Sequence, residues 1–319
     1  MATLESILEE FERELDRIVM VDMTHPQDGT LWHYTDAAGM EGILRSSQVF
    51  LTDFRHLNDP TELTYGEDLI VQLADELLQQ ATPKGLVRPV LQEFLHVYRG
   101  EGGRFTERAE VFVGSFCCDD GDRLSQWRAY GDHGRGYAIG FRSLPRFMAN
   151  SGTADFAGAL YRLEYRPEEF KRAAGEVLMR TAQRIDELMH QHLPTFNQHQ
   201  EWVDRVWRMS RDYLLMAVAT LCQRTKDPGF DEESEWRLLL SPFGKRDAVE
   251  YRSTRRGLIP FVKFDLSNAA GLLDLEGVRV GPSPNAENSR RALEGFLKSL
   301  KYPEPEKLAL KSRIPYRHA

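Results

Sequence analysis

Glu110-Val111-Phe112-Val113-Gly114-Ser115-Phe116-Cys117 reads as a buried-type strand, because apolar side chains fill it almost without interruption. Asp122 then stands where it can cap a short helix over Arg123–Tyr130, which Gly131 ends. Gly136-Tyr137-Ala138-Ile139-Gly140-Phe141 returns as a strand. Upstream, residues 3–19 carry apolar side chains at helical spacing. Residues 30–34 form a short strand, Asp36 caps a helix through Met40 and Leu44, and 48–52 form a second strand. Leu57-Asn58-Asp59-Pro60-Thr61-Glu62 is a turn into a helix with capping-box chemistry, and 64–100 is mostly helical. Downstream, 159–166 alternate as a strand, and 167–224 are the longest helical tract, interrupted near Leu193-Pro194. Strands follow at 235–240, 247–252, 258–264 and 278–282, then a helix at 285–300 and a last strand at 308–312. Pro260 predicts an edge or strand-start position for the 258–264 segment. Strands and helices mix without a steady βαβ alternation, so the expected class is α+β with a mixed, mostly antiparallel sheet. We expect a single domain over 1–319, with 1–29 as N-terminal helix and lead-in and 167–224 as a helical insertion.

The chain has 319 residues, 41% hydrophobic and 28% charged, which supports a sizeable core. Its net charge of −8 argues against a generally basic nucleic-acid surface, although Arg123, Arg128, Arg135 and Arg142 form a local cluster. Cys117, Cys118 and Cys222 have neither disulfide-framework nor zinc spacing, so a reducing cytoplasmic setting is the simplest expectation. No signal peptide is read at the N-terminus, and no apolar run approaches a membrane span. The nine histidines show no close metal spacing, so no metal is expected. Dinucleotide and P-loop glycine fingerprints are absent.

Three dispersed groups carry candidate chemistry. His33 and Thr35 are two apart on a strand, so both face one side and Tyr34 the other. An imidazole and a hydroxyl there suit ribose hydroxyls, whereas the ordinary alternative is a core histidine bonded to a carbonyl. Trp127 and Tyr130 share a helix face, and either ring suits stacking on a flat heteroaromatic such as nicotinamide or plain core packing. Ser115 suits a ligand contact or a backbone cap. Glu233, Glu235 and Arg237 alternate along a strand and face one side, with Trp236 and Leu238 anchoring the other. A fixed carboxylate bonded to a ribose 2′-hydroxyl stabilises the oxocarbenium charge that develops when a glycosidic bond breaks. Glu235 is the expected acid and Glu233 its support, and the ordinary alternative is a surface ladder of Glu–Arg pairs. Lys226, Arg55 and Arg317 are candidate pyrophosphate contacts.

Trp32-His33-Tyr34-Thr35, Leu57-Asn58-Asp59-Pro60-x-Glu62, Ser125-x-Trp127-x-x-Tyr130, Gly136 to Phe141, Glu232-Glu233-x-Glu235-Trp236-Arg237 and Ser312-x-Ile314-Pro315-Tyr316-Arg317 resemble the blocks of a bacterial family. That family is domain of unknown function twenty-nine-seventy-one, and the similarity spans roughly 31–317. The layout is also similar to the ADP-ribosyltransferase fold, in its His–Tyr–Glu branch. The resemblance implies a split sheet of that type, with His33 and Thr35 on the NAD ribose, Tyr34 between them also at the NAD site, Tyr130 or Trp127 on nicotinamide, and Glu235 on the 2′-hydroxyl. It implies an NAD-cleaving enzyme, an ADP-ribosyltransferase or NAD glycohydrolase, with NAD as substrate. A macromolecular acceptor (protein or nucleic acid) and a toxin or phage-defence role would follow. The rival expectation is a binding module for a nucleotide or nucleic acid on the same scaffold.

Overall fold

The fold is a computed structural model that describes residues 3–21, 29–57, 62–79, 87–99, 111–142, 144, 156–242, 248–254 and 257–315. The chain divides into two compact units, one of Met1–Thr24, Asn58–Ala109 and Leu163–Phe230, the other of His25–Leu57, Glu110–Arg162 and Asp231–Ala319.

The first unit is helical: α1 (Leu4–Val21), α3 (Glu62–Gln79), α4 (Val87–Arg99), α6 (Pro167–Gln191), the short α7 (Leu193–Phe196) and α8 (Gln200–Cys222). Pro167 opens α6, where a missing N–H matters least, and Glu168 and Glu169 favour its positive end. Ala174, Val177, Leu178, Ala182 and Ile185 then bury one stripe against Leu69, Leu73, Leu91 and Leu214. A side chain at Gly66 would place its Cβ 2.4 Å from the Cys222 carbonyl, so only glycine lets α3 meet the end of α8. The expected turn at 58–61 lies outside the described residues.

The second unit holds a ten-stranded sheet. Its strands are β1 (Leu31–Thr35), β2 (Gln48–Asp53), β3 (Phe112–Cys117), β4 (Tyr137–Phe141), β5 (Phe156–Arg162), β6 (Glu235–Pro242), β7 (Glu250–Thr254), β8 (Gly257–Asp265), β9 (Leu275–Val280) and β10 (Ala309–Lys311). All pairings are antiparallel except the parallel β9–β10 pair. The order runs β10-β9-β4-β1-β3-β2-β8-β7, with β6 on the other edge of β3 and β5 beyond it. The α+β class and mostly antiparallel sheet are as the sequence led us to expect. Pro260 lies near the start of β8, just before Phe261 where pairing with β2 begins. At the proline β8 is bonded to β7 alone, in keeping with the edge or strand-start position expected, although β8 as a whole lies between β2 and β7.

One face of the sheet buries Leu31, Phe116, Ile139, Phe141, Trp236 and Leu238. Covering them are α2 (Ala37–Ser46), through Met40, Ile43 and Leu44, and α9 (Ala286–Ser299), through Leu293 and Leu297. Asp36 caps α2 as expected, accepting from the Gly39 N–H at 2.7 Å. The other face holds a small core of Trp32, Tyr34, Cys117, Trp127 and Ala138. Gly121 sits at φ +71°, and a Cβ there would lie 2.3 Å from the Trp32 ring. Asp122 does not cap the short helix α5 (Leu124–Ala129), whose N-cap Arg123 makes no side-chain cap bond. Asp122 instead accepts from Trp127 Nε1, Ser312 Oγ and the Arg313 N–H, three donors on a nearly buried carboxyl group. No described helix is long and apolar enough to cross a membrane.

Candidate functional site

The sheet opens along one edge of β3. β6 pairs with all of Phe112–Cys117 on one side. The other side is shared: β1 takes the far end through Trp32↔Cys117, and β2 takes the near end through Thr52↔Val113 and Asp53↔Phe112. Ser115 stands between the two attachments and is exposed, although it lies in mid-strand at the sheet centre. His33 enters that opening. Its Nδ1 lies 3.0 Å from the Ser115 carbonyl, where a neighbouring strand would otherwise bond, and its ring sits 5.7 Å from Phe116.

A carbonyl only accepts, so Nδ1 carries the proton and Nε2 is left as an acceptor. Burial lowers the His33 pKa below its ordinary value, and the nearby charge of Arg252 lowers it further against the opposing bond to Ser115. The imidazole is therefore neutral at pH 7. An unfolded chain takes up a proton here as pH falls through 6.5, while the folded one does not, so His33 contributes stability that is lost as pH drops from 6.5 towards its lower folded value. We expect the His33 ring to remain the Nδ1–H tautomer at pH 6.5 in a nitrogen-15 histidine spectrum. Half-protonation at that pH would contradict the placement.

Register decides which side chains meet. His33 and Thr35 share a face, as expected, and it is the face of Leu31 and Phe116. Trp32 opposes Cys117, and Cys117 opposes Glu235, so Glu235 lies on the opposite face with Trp32 and Tyr34. The expected single cleft around His33 and Glu235 is corrected accordingly. Glu235 is also not an open acid. It is 4% exposed and held by Arg237, 1% exposed, with Nε to Oε1 at 2.8 Å and Nη2 to Oε2 at 3.2 Å.

Two further expected ligand contacts are core residues. Trp127 is 0% exposed, with its indole N–H on Asp122 and its ring edge-on to Tyr34 at 4.8 Å. Tyr34 is buried, its oxygen accepts the Arg123 N–H, and burial together with Asp119 drives its pKa far up. Neither ring has a free face for a ligand. Tyr130 is more open: it is 37% exposed, and its hydroxyl donates to Glu233 Oε1 at 2.9 Å. Gly136 ties this corner to β1, because its N–H bonds the Gly131 carbonyl and a Cβ there would lie 2.2 Å from the Thr35 carbonyl. Arg123 closes the same corner, bonding the Glu232 carbonyl and Ser234 Oγ.

Cys117 and Cys222 are buried thiols, and Cys118 is an exposed one. Burial, with Asp119, Glu235 and Glu233 adding negative charge, pushes the Cys117 pKa well up, so this thiol stays protonated and unreactive. No cluster of three or more His, Cys, Asp or Glu residues suited to a metal ion occurs among the described residues. Arg252, which the sequence reading passed over, lies close enough to His33 to shift its titration. The only sequence signal for it is its place in a short alternating strand.

No curated protein and no solved structure matches the chain. The likeness read along residues 31–317 is found over a shorter span, one that takes in Trp127, Tyr130, Glu233, Glu235 and Arg237 and leaves out His33 and Ser115. Over residues 126–238 the chain matches the model of the family described as Protein of unknown function (DUF2971).

Proposed function

We propose that the sheet unit binds NAD at the opening between β1 and β2 and cleaves its nicotinamide–ribose bond, passing ADP-ribose to a macromolecule or to water. The observation that carries this reading is the opening at Ser115, with a neutral His33 lodged in it and Nε2 left to accept from a ribose hydroxyl. An ADP-ribosyltransferase-type sheet offers its ligand such a break between strands. Tyr130 supplies the accessible ring for nicotinamide. Glu233, half-buried and bonded to the Tyr130 hydroxyl, is the acid within reach of a ligand. Glu235 then acts from beneath, fixing the strand through Arg237 rather than touching the sugar. Nicotinamide leaves without protonation, so one carboxylate that steadies the growing sugar cation suffices.

Incubation with NAD, with free nicotinamide followed by mass spectrometry, tests this. Glu233→Gln is expected to slow nicotinamide release by roughly 10²–10³-fold, the usual effect of deleting one electrostatic stabiliser. Unchanged release in that variant ends the assignment. Absence of release from the wild type, with protein, nucleic acid and water each offered as acceptor, ends the enzyme reading.

A second reading has its own support. The acid expected to do the chemistry is bound on both oxygens by a buried guanidinium, which suits a module that holds a nucleotide intact. It predicts saturable NAD binding with no nicotinamide formed.

A further inference from the structure

Among the described residues Arg252 has no counter-charge in ion-pair contact. Its Nη2 donates to Thr52 Oγ1 at 2.7 Å, and its guanidinium lies 5.7 Å from the centre of the Phe261 ring. Its Nε is buried with no hydrogen-bond partner, and among the described residues no carboxylate lies within ion-pair distance. The neighbouring cation differs: Lys263 is paired with Glu250 at 2.8 Å. A half-buried charge left uncompensated is costly, and proteins ordinarily pair such groups or neutralise them.

The register places this charge at the opening. Arg252 opposes Ile259, which shares a face with Phe261, and Phe261 opposes Thr52. Thr52 opposes Val113, which shares a face with the exposed Ser115. Arg252 therefore stands on the β2 side of the break and on the Ser115 and Cys117 face, whereas His33 reaches the break from the β1 side and belongs to the Phe116 face. Two residues along β2 from Thr52, on the same face, Phe50 is 41% exposed and stacked on Phe261 at 4.6 Å.

We propose that Arg252 is the anion subsite of this opening and takes the diphosphate of a nucleotide, with Phe50 as the surface against which the base lies. The inference rests on the nucleotide reading of the opening, and it adds the residue that answers the ligand's charge. A guanidinium presents paired donors to phosphate oxygens, and the half-buried Arg252 side chain has donors beyond the one bond it makes to Thr52.

Calorimetry on the full chain with ADP and with inorganic pyrophosphate tests it. Arg252→Gln is expected to weaken both at least tenfold, and Arg252→Lys to weaken them less. Phe50→Ala is expected to weaken ADP and leave pyrophosphate unchanged. The melting temperature of Arg252→Gln should be equal to or above that of the wild type, because an uncompensated charge is removed. Equal affinities in Arg252→Gln, or a lower melting temperature with affinity kept, overturn the subsite and make Arg252 a packing residue. No binding of either ligand by the wild type overturns it as well. The two proposals separate cleanly: ADP binding lost in Arg252→Gln without nicotinamide release from the wild type keeps the subsite and removes the chemistry. Nicotinamide release that Arg252→Gln leaves untouched does the reverse.

Discussion

Arg237→Met is expected to destabilise the sheet unit by about 3–5 kcal/mol, because it breaks a buried ion pair by removing the guanidinium that binds both Glu235 oxygens. Glu235→Gln is expected to act in the same direction, since it removes the charge from the other side of that pair. The double variant Glu235→Leu, Arg237→Met should recover most of the loss, since apolar side chains of similar volume replace a buried pair at little net cost. Hydrogen exchange of β3 and β6 amides is the suitable measurement, because it reads the sheet unit without assuming that both units unfold together. Additive losses in the double variant would show that the two groups are not coupled. The result also governs how activity data are read. An open catalytic acid could be replaced by its amide with turnover lost and folding intact, and burial against Arg237 removes that separation for Glu235→Gln. A loss of activity in Glu235→Gln identifies a catalytic acid only if exchange protection is unchanged.

The same pair shows how far the chain could be read in advance. The alternation of Glu235 and Arg237 against Trp236 and Leu238 is local, and a period of two fixes which side chains share a face, whereas Glu233, expected on the same strand, ends a 3-10 helix (Pro228–Glu233) and is cut off from β6 by Ser234 at φ +46°. That part was legible. Which face β1 shares with β6 is set by the chain of oppositions Trp32↔Cys117↔Glu235 across three strands far apart in sequence. A shift of one residue in either pairing would have put His33 and Glu235 together, and no local pattern specifies that shift. The opening at Ser115 was hidden for the same reason. The stretch Glu110–Cys117 reads as a continuous buried strand, and only the shared edge of β3 reveals that one position in it faces an unpaired gap. Asp122 is a further instance. Its position before a helix suits a cap, yet Ser312 and Arg313, nearly two hundred residues away, claim its oxygens.

Trp127→Ala is expected to cost about 3–5 kcal/mol, the usual range for emptying a buried aromatic site. The ring is 0% exposed and packs edge-on against Tyr34, and Gly131 fits only because a Cβ there would lie 2.5 Å from it. Trp127→Phe keeps most of that packing and removes one donor from Asp122. Ser312 Oγ and the Arg313 N–H still serve the carboxylate, so a loss of about 1–2 kcal/mol is expected. Tyr130→Ala, three residues on, removes an exposed ring and its hydroxyl bond to Glu233 and should stay within about 1 kcal/mol. The contrast decides between two roles that the sequence leaves equal, since both rings lie on the same helix face at the same spacing. A ring that stacks on nicotinamide is dispensable for folding and needed for ligand, whereas a ring that closes a core is the reverse. Chemical denaturation of the three variants, read beside NAD affinity, separates them. Mild destabilisation in Trp127→Ala together with lost NAD affinity would return the stacking role to Trp127 and with it reopen the face of the sheet that Tyr34 now covers.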